Sequence, residues 1–328
     1  MTMTRWFALP VLGFVLTAAG LIGQGIAAQP QRLLKIGALT ESWGPTPAIV
    51  GLRDGLKERG YREDTDFVIG VRFTQGNVAE LPAAARDLVK RGVDLIVTGG
   101  GTAAKAAQAE TNRIPIVFLG ESDPVGRGLV KSFARPGGNI TGVADLESDL
   151  VLKRMEIFRE LVPGMKRVLL VYDGSNAETA ERLAMHREAA RRLGLVLVEK
   201  PVRSEAEARA AISGIGKGEA DGIFSTRRLS LNIPGVVLEI ATKLAIPTIF
   251  GDEFFVERGG LVSYSANRYQ LGHQAARLVD KIIKGAKPAD IPVEQPTKFE
   301  LVINMKTAKA LGIKIPNSIL VRADKVIE

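Results

Sequence analysis

The sequence predicts an α/β protein of two similar lobes, each a doubly wound parallel sheet. Three observations carry this. After residue 29, short apolar stretches alternate with helix signals, and such alternation builds parallel sheets with helices on both faces. The second half repeats the order of elements in the first. The 328 residues, 46% of them hydrophobic, suffice for two cores of ordinary domain size.

Lys35 to Thr40 is a short apolar strand, followed by Thr46 and Pro47, a cap and a first helical position, with Ile49, Leu52 and Leu56 on one face. Asn77 with Glu80 opens a second helix. Val93 to Thr98 is a strand running into Gly99 to Thr102 and an alanine-rich helix, and Ile114 to Leu119 is the next strand. In the second half Arg167 to Tyr172 parallels Lys35 to Thr40, Asp221 to Thr226 parallels Asp94 to Gly99, and Ala245 to Phe250 parallels Arg113 to Phe118. Ser175 with Glu178, and Ser204 with Glu207, have capping-box spacing.

The N-terminus has the pattern of an export signal. Met1 to Arg5 carries one positive charge, Trp6 to Ile26 is almost wholly apolar or small, and Gly25 to Ala28 offers small residues for cleavage. Residues 1–28 are therefore expected to be a signal peptide and the mature protein to be periplasmic. A retained anchor is the alternative, since the stretch is long enough to span a bilayer; Pro10 and the glycines argue against it. With no cysteine there is neither a lipid-anchor site nor a disulfide, so packing alone must stabilise the fold. The formal charge of +8 comes from 44 Lys and Arg interleaved with 36 Asp and Glu, and basic runs such as Arg191-Arg192 and Arg227-Arg228 are only pairs. That pattern argues for a solvated surface and against a nucleic-acid partner.

Ligands of open parallel sheets bind beyond the carboxyl ends of the strands. Those ends carry Ser42, Trp43, Gly101, Thr102, Ser122 and Asp123 in the first lobe, and Tyr172, Ser175, Thr226, Asp252 and Tyr264 in the second. Asp123 either meets a ligand cation or closes its own Asp-Pro turn, and the Gly101-Thr102 turn offers N–H groups to an anion. Trp43, Tyr172 and Tyr264 are candidates to stack on an aromatic ligand; for Trp43, loop packing is the competing role. No cysteine nucleophile, Gly-x-Ser-x-Gly elbow or phosphate loop is present. His186 and His273 each fall in charged helices, without a second ligand at metal spacing, and read as surface or partly packed residues. Neither a metal, a cofactor nor a catalytic residue is expected.

Ile114 to Phe118, Ser122 to Gly126, Ala134 to Asn139 with Thr141-Gly142, Gly259 to Tyr264, Lys284 to Asp290, Pro292 to Asn304 and the tail from Lys306 resemble, as a set, the ABC transporter substrate-binding protein family that includes the tryptophan-binding TrpX proteins. The resemblance covers nearly the whole mature chain. It implies a type I periplasmic binding fold, three hinge strands, and capture of a small solute for delivery to a membrane permease. By the same resemblance the first lobe comprises residues 29–145 and 266–289, the second 146–265 and 290–328, and the protein works as a monomer. The expected solute is an amino acid, aromatic or branched aliphatic, with a small amide, peptide or other carboxylate as alternative. An exported enzyme using Asp123 or Asp252 as a base, or a ligand-sensing regulator, are the competing functions; no helix-turn-helix segment precedes the first strand.

Overall fold

The computed structural model describes residues 32–328 except 43, 45, 147–148, 176–178, 217 and 226–229. The expected signal peptide, Trp43 and Thr226 therefore lie outside the described residues. Among those described, no helix is long and apolar enough to cross a membrane.

The first lobe contains β1 (Leu34–Thr40), α1 (Pro47–Glu58), β2 (Phe67–Phe73), α2 (Leu81–Lys90), β3 (Leu95–Gly99), α3 (Gly101–Glu110), β4 (Ile116–Glu121) and β5 (Ile140–Ala144). The strands form one parallel sheet in the order β2-β1-β3-β4-β5. Continuous apolar runs are needed here because alternate residues leave the sheet on opposite faces and both faces are covered. Ile36, Ala38, Val97, Val117 and Leu119 face one helical layer, while Leu39, Ile96, Ile116 and Phe118 pack under α2 and α3.

The second lobe contains α4 (Leu150–Leu161), β6 (Arg167–Asp173), α5 (Thr179–Arg192), β7 (Val196–Val202), α6 (Glu205–Ser213), β8 (Gly222–Phe224), α7 (Ile233–Leu244), β9 (Thr248–Phe250), α8 (Glu253–Val256) and β10 (Val262–Ala266). The chain then returns to the first lobe for α9 (Arg268–Ile283), which shares a layer with α1, and re-enters the second for β11 (Phe299–Asn304), α10 (Met305–Ala310), α11 (Asn317–Leu320) and β12 (Lys325–Ile327). The second sheet runs β7-β6-β8-β9-β10-β11-β12. Its β11 is antiparallel to β10 because β10 leaves the lobe and β11 enters it.

The duplication extends to single bonds. Asp94 pairs with the start of β1, its carboxylate taking the Lys35 N–H at 2.9 Å and its own N–H reaching the Lys35 carbonyl at 2.8 Å. Asp221 does the same at the start of β6, taking the N–H groups of Lys166 and Arg167, both at 2.8 Å, and donating to the Arg167 carbonyl at 2.9 Å.

The helix starts follow the capping signals in part. Thr46 accepts the Ile49 N–H and Ser204 the Glu207 N–H, while Glu207 reaches back to the Arg203 N–H. Asn77 caps a single 3-10 turn, Val78–Glu80, that leads into α2. Ser175 instead bonds Asp173, with α5 beginning at Thr179; Glu178 lies outside the described residues.

Three segments pass between the sheets, and they are bonded side by side. The first leaves β5, and its Ala144 donates to the Glu294 carbonyl at 2.8 Å while Glu294 donates to Gly142 at 2.9 Å. The second is Asn267, whose N–H reaches the Lys298 carbonyl at 3.0 Å. The third is still held by the first lobe at Gln295, whose carbonyl takes Nε2 of Gln274 from α9 at 2.9 Å, and is paired with β10 by Phe299 opposite Ala266.

Candidate functional site

Sheet order locates the crevices. Loops leave in opposite directions where β1 meets β3 and where β6 meets β8, which opens a gap at the carboxyl ends of those strands. Ser42 and the Gly99–Thr102 turn flank the first gap, and Ser175 and Ser225 the second.

In the first lobe Ser42, Gly101, Ser122 and Asp123 each meet a polar neighbour. The Thr40 hydroxyl lies against Gly99, where a Cβ would be 2.8 Å from it, and donates to Ser42 Oγ at 3.2 Å; Ser42 in turn donates to the Gly44 carbonyl at 2.8 Å. Gly100 caps α3 at φ +104°, a backbone region open to glycine. No side chain of α3's own caps the helix, but the Glu121 carboxylate lies over Gly101, its Oε2 1.6 Å from where a Cβ would stand. Glu121 is thus an internal anion beside the positive end of α3. It is 4% exposed, pairs with Arg127 Nε at 2.8 Å, and takes the Asp123 N–H at 2.9 Å. Ser122, next in the chain, donates to the buried Asp145 at 2.7 Å, linking this tip to the first crossing.

Asp123 is exposed and closes its turn: Oδ1 takes the Gly126 N–H at 2.8 Å and its carbonyl takes the Arg127 N–H at 3.1 Å. Thr102 is half-buried in the first turn of α3.

The second-lobe residues bond mainly within their own lobe. Tyr172 is bonded to Glu199, which Arg187 grips at 2.7 and 2.8 Å; burial and then that carboxylate raise the phenol above its usual range. Ser175 donates to Asp173 at 2.6 Å. Tyr264 is half-buried and stacked on Phe299, with ring centres 6.2 Å apart. Its carbonyl accepts Nε of Arg154, a fully buried arginine on α4. Asp252 caps α8 through the Phe254 N–H at 3.1 Å and pairs with Arg268 at 3.3 Å.

Glu121, Arg127, Asp145, Arg154 and Arg268 were not signalled by the sequence pattern. Glu121 carried one usable hint, a carboxylate ending an apolar strand. The histidines have packing roles: His186 is buried, edge-on to Phe224 at 5.2 Å, and His273 bonds Glu58 across α1 and α9 at 2.7 Å. Among the described residues no cluster of three His, Asp or Glu could hold a metal ion.

Beside Asp252, burial and then the carboxylates of Glu300, Asp252 and Glu257 push Glu253 up to about 6 from 4.5. The folded state therefore holds this proton more tightly than the unfolded state, so the group stabilises the fold less as pH rises from 4.5 through 6. Glu253→Gln is expected to raise stability by about 1 kcal/mol at pH 7.5, after allowance for solvent screening, and by much less at pH 5. Thermal melts of both proteins at the two pH values test this; an equal difference at both would contradict it.

These features define a two-lobed α/β protein with polar residues at both strand-switch points. Residues 40–327 match the family model for ABC transporter substrate binding proteins, and the chain belongs to that family, whose members are binding proteins and not enzymes. It is 29% identical over 285 residues, 87% of this chain and 82% of the relative, to a tyrosine-binding protein of Clostridioides difficile strain R20291. A Streptococcus pneumonia ABC domain in complex with L-Trp superposes with a TM-score of 0.79 at 29% identity, covering 90% of this chain and 99% of that one. The ligand-free, open structure of an adhesive substrate binding protein from Clostridium difficile gives 0.66 at 26% identity, with the same coverage.

Proposed function

We propose that this substrate-binding protein captures an aromatic amino acid between its lobes, in the periplasm, as a monomer, and delivers it to a membrane permease. The observation that carries the reading is the ligand pair of its relatives, tyrosine and L-Trp, each in a protein 29% identical over more than four fifths of both chains. Half-buried Tyr264 and the tips of both lobes supply surfaces suited to such a ring and its zwitterionic end. Ser42, Trp43, Gly101, Thr102, Ser122 and Asp123 would form one wall, and Tyr172, Ser175, Thr226 and Tyr264 the other. On the sequence a branched aliphatic amino acid stands beside an aromatic one, with a small amide, peptide or other carboxylate as the alternative.

The lobes would close about Asp145–Leu146, Asn267 and Pro296–Thr297. The last pair falls between Gln295, bonded to α9, and Lys298, bonded to Asn267. A solute touching both lobes favours the closed form by its differential contacts. Residues 1–28 would serve as the export signal, which N-terminal sequencing of the mature protein checks.

Native mass spectrometry of the purified protein is expected to show a co-purified amino acid. Calorimetry should then rank L-Trp, L-Tyr and L-Phe above L-Leu and L-Val; no binding of any of them ends the proposal. Within this reading Asp123→Asn separates two roles. If the carboxylate holds the ligand ammonium, affinity falls about ten- to a hundredfold with little change in melting temperature. If it only closes its turn, asparagine serves equally and both stay near wild type.

A further inference from the structure

We propose that Arg268 and Asp252 form a clasp between the lobes that helps to set solute affinity, with Asp252 acting on Arg268 and not on the ligand. The two ends are fixed to different bodies. Arg268 opens α9, and the next residue is locked to the first lobe. The Tyr269 carbonyl is so close to Gly51 that a Cβ there would be 2.0 Å away, and the Tyr269 hydroxyl bonds Asp54 at 3.0 Å. Asp252 follows β9 and is fixed to the second lobe by capping α8. Between them Nη1 and Oδ2 are 3.3 Å apart, with the side chains only 22% and 15% exposed, so solvent screens the pair less than an open surface pair.

A rotation that carries Asp252 away from the start of α9 would break a contact of this length, so in this proposal the clasp is made when the lobes are closed. A contact made in one of two states shifts their balance by its own free energy, and apparent affinity changes by the same factor.

The test uses the absence of cysteine from the chain. Spin labels at Lys131→Cys and Lys200→Cys, exposed positions on different lobes, report the interlobe distance in the full protein without ligand. Arg268→Gln and Asp252→Asn, the latter keeping a capping side chain, are each expected to cut the short-distance population about three- to thirtyfold. Affinities for L-Trp and L-Tyr should fall by the same factor, and the double variant should be no worse than either single one. This affinity arm rests on the solute reading above. If the wild type binds neither amino acid, that reading fails, and the distance measurement still decides the clasp. Unchanged distances in both variants overturn it, as does an affinity loss for Asp252→Asn that persists in the Arg268→Gln background, which would put Asp252 on the ligand.

Discussion

Gly272→Ala is expected to destabilise the protein by at least the upper end of the ~1–3 kcal/mol usual for overpacking, because the clash is with main chain. A Cβ at 272 would stand 1.7 Å from the Ala48 carbonyl oxygen and 2.6 Å from its carbon. No side chain can turn aside there, so α1 and α9 must move apart. The same seam is tight from the other side, at Gly51 against Tyr269 and at Gly55, where a Cβ would be 2.7 Å from that of Ala276. Separating the helices also uncovers Leu52, Leu56, Leu271 and Ala275, all buried beneath them. Gly70→Ala is the control, since nothing lies within 4 Å of a Cβ there, and it should stay within about 0.5 kcal/mol of wild type. Denaturant unfolding of the two variants decides; equal midpoints would remove the seam as a determinant of stability. Because α9 also carries Arg268 and Gln274, Gly272→Ala should weaken solute binding as well.

Arg154→Ala is expected to cost about 3–5 kcal/mol, the range for losing a large buried side chain. Arg154 heads the fully buried side chains by volume, and its Nε donates to the Tyr264 carbonyl in β10. Truncation leaves a cavity beneath α4 and removes a charged donor from the part-buried Tyr264 carbonyl. Arg154→Met fills most of the volume without the donor and should fall between alanine and wild type. Lysine keeps the charge but lacks the planar fork, so it should recover little. Thermal melts of the series check the order; a methionine variant as stable as wild type would mean that packing alone accounts for the site. The bond joins the helix after the first crossing to the strand before the second, so its loss should also loosen the cleft.

The repeat was legible because it is written in short local words. Asp94 and Asp221 occupy equivalent places before matching strands, and the same bonds form at both. Thr46 and Pro47 marked a helix start because capping is satisfied within one turn. Strand limits slipped by one to three residues, most at Ala245, expected in a strand but placed at φ +52° as the residue ending α7. An alanine gives no warning of a left-handed backbone.

The candidate site was legible as a place and less so as chemistry. The strand tips were placed because parallel sheets put their crevices there. What each carboxylate does was not, since Asp123 bonds three residues on while Ser122 bonds Asp145, 23 residues away. The glycines show the same division. Gly100 could be read from the turn it makes, whereas Gly101, Gly51 and Gly272 owe their identity to Glu121, Tyr269 and Ala48, which no local pattern connects to them.

By itself the amino-acid sequence determined the class of fold, the two-fold repeat and the family, because periodicity, caps and turns act over a few residues. Only the tertiary structure decided that Glu121 covers the start of α3, that Arg154 ties α4 to β10, and that Arg268 meets Asp252. These partners lie from 16 to 110 residues apart and meet only after the sheets have formed, so the free energy that selects them depends on burial and distance, which the order of residues does not display.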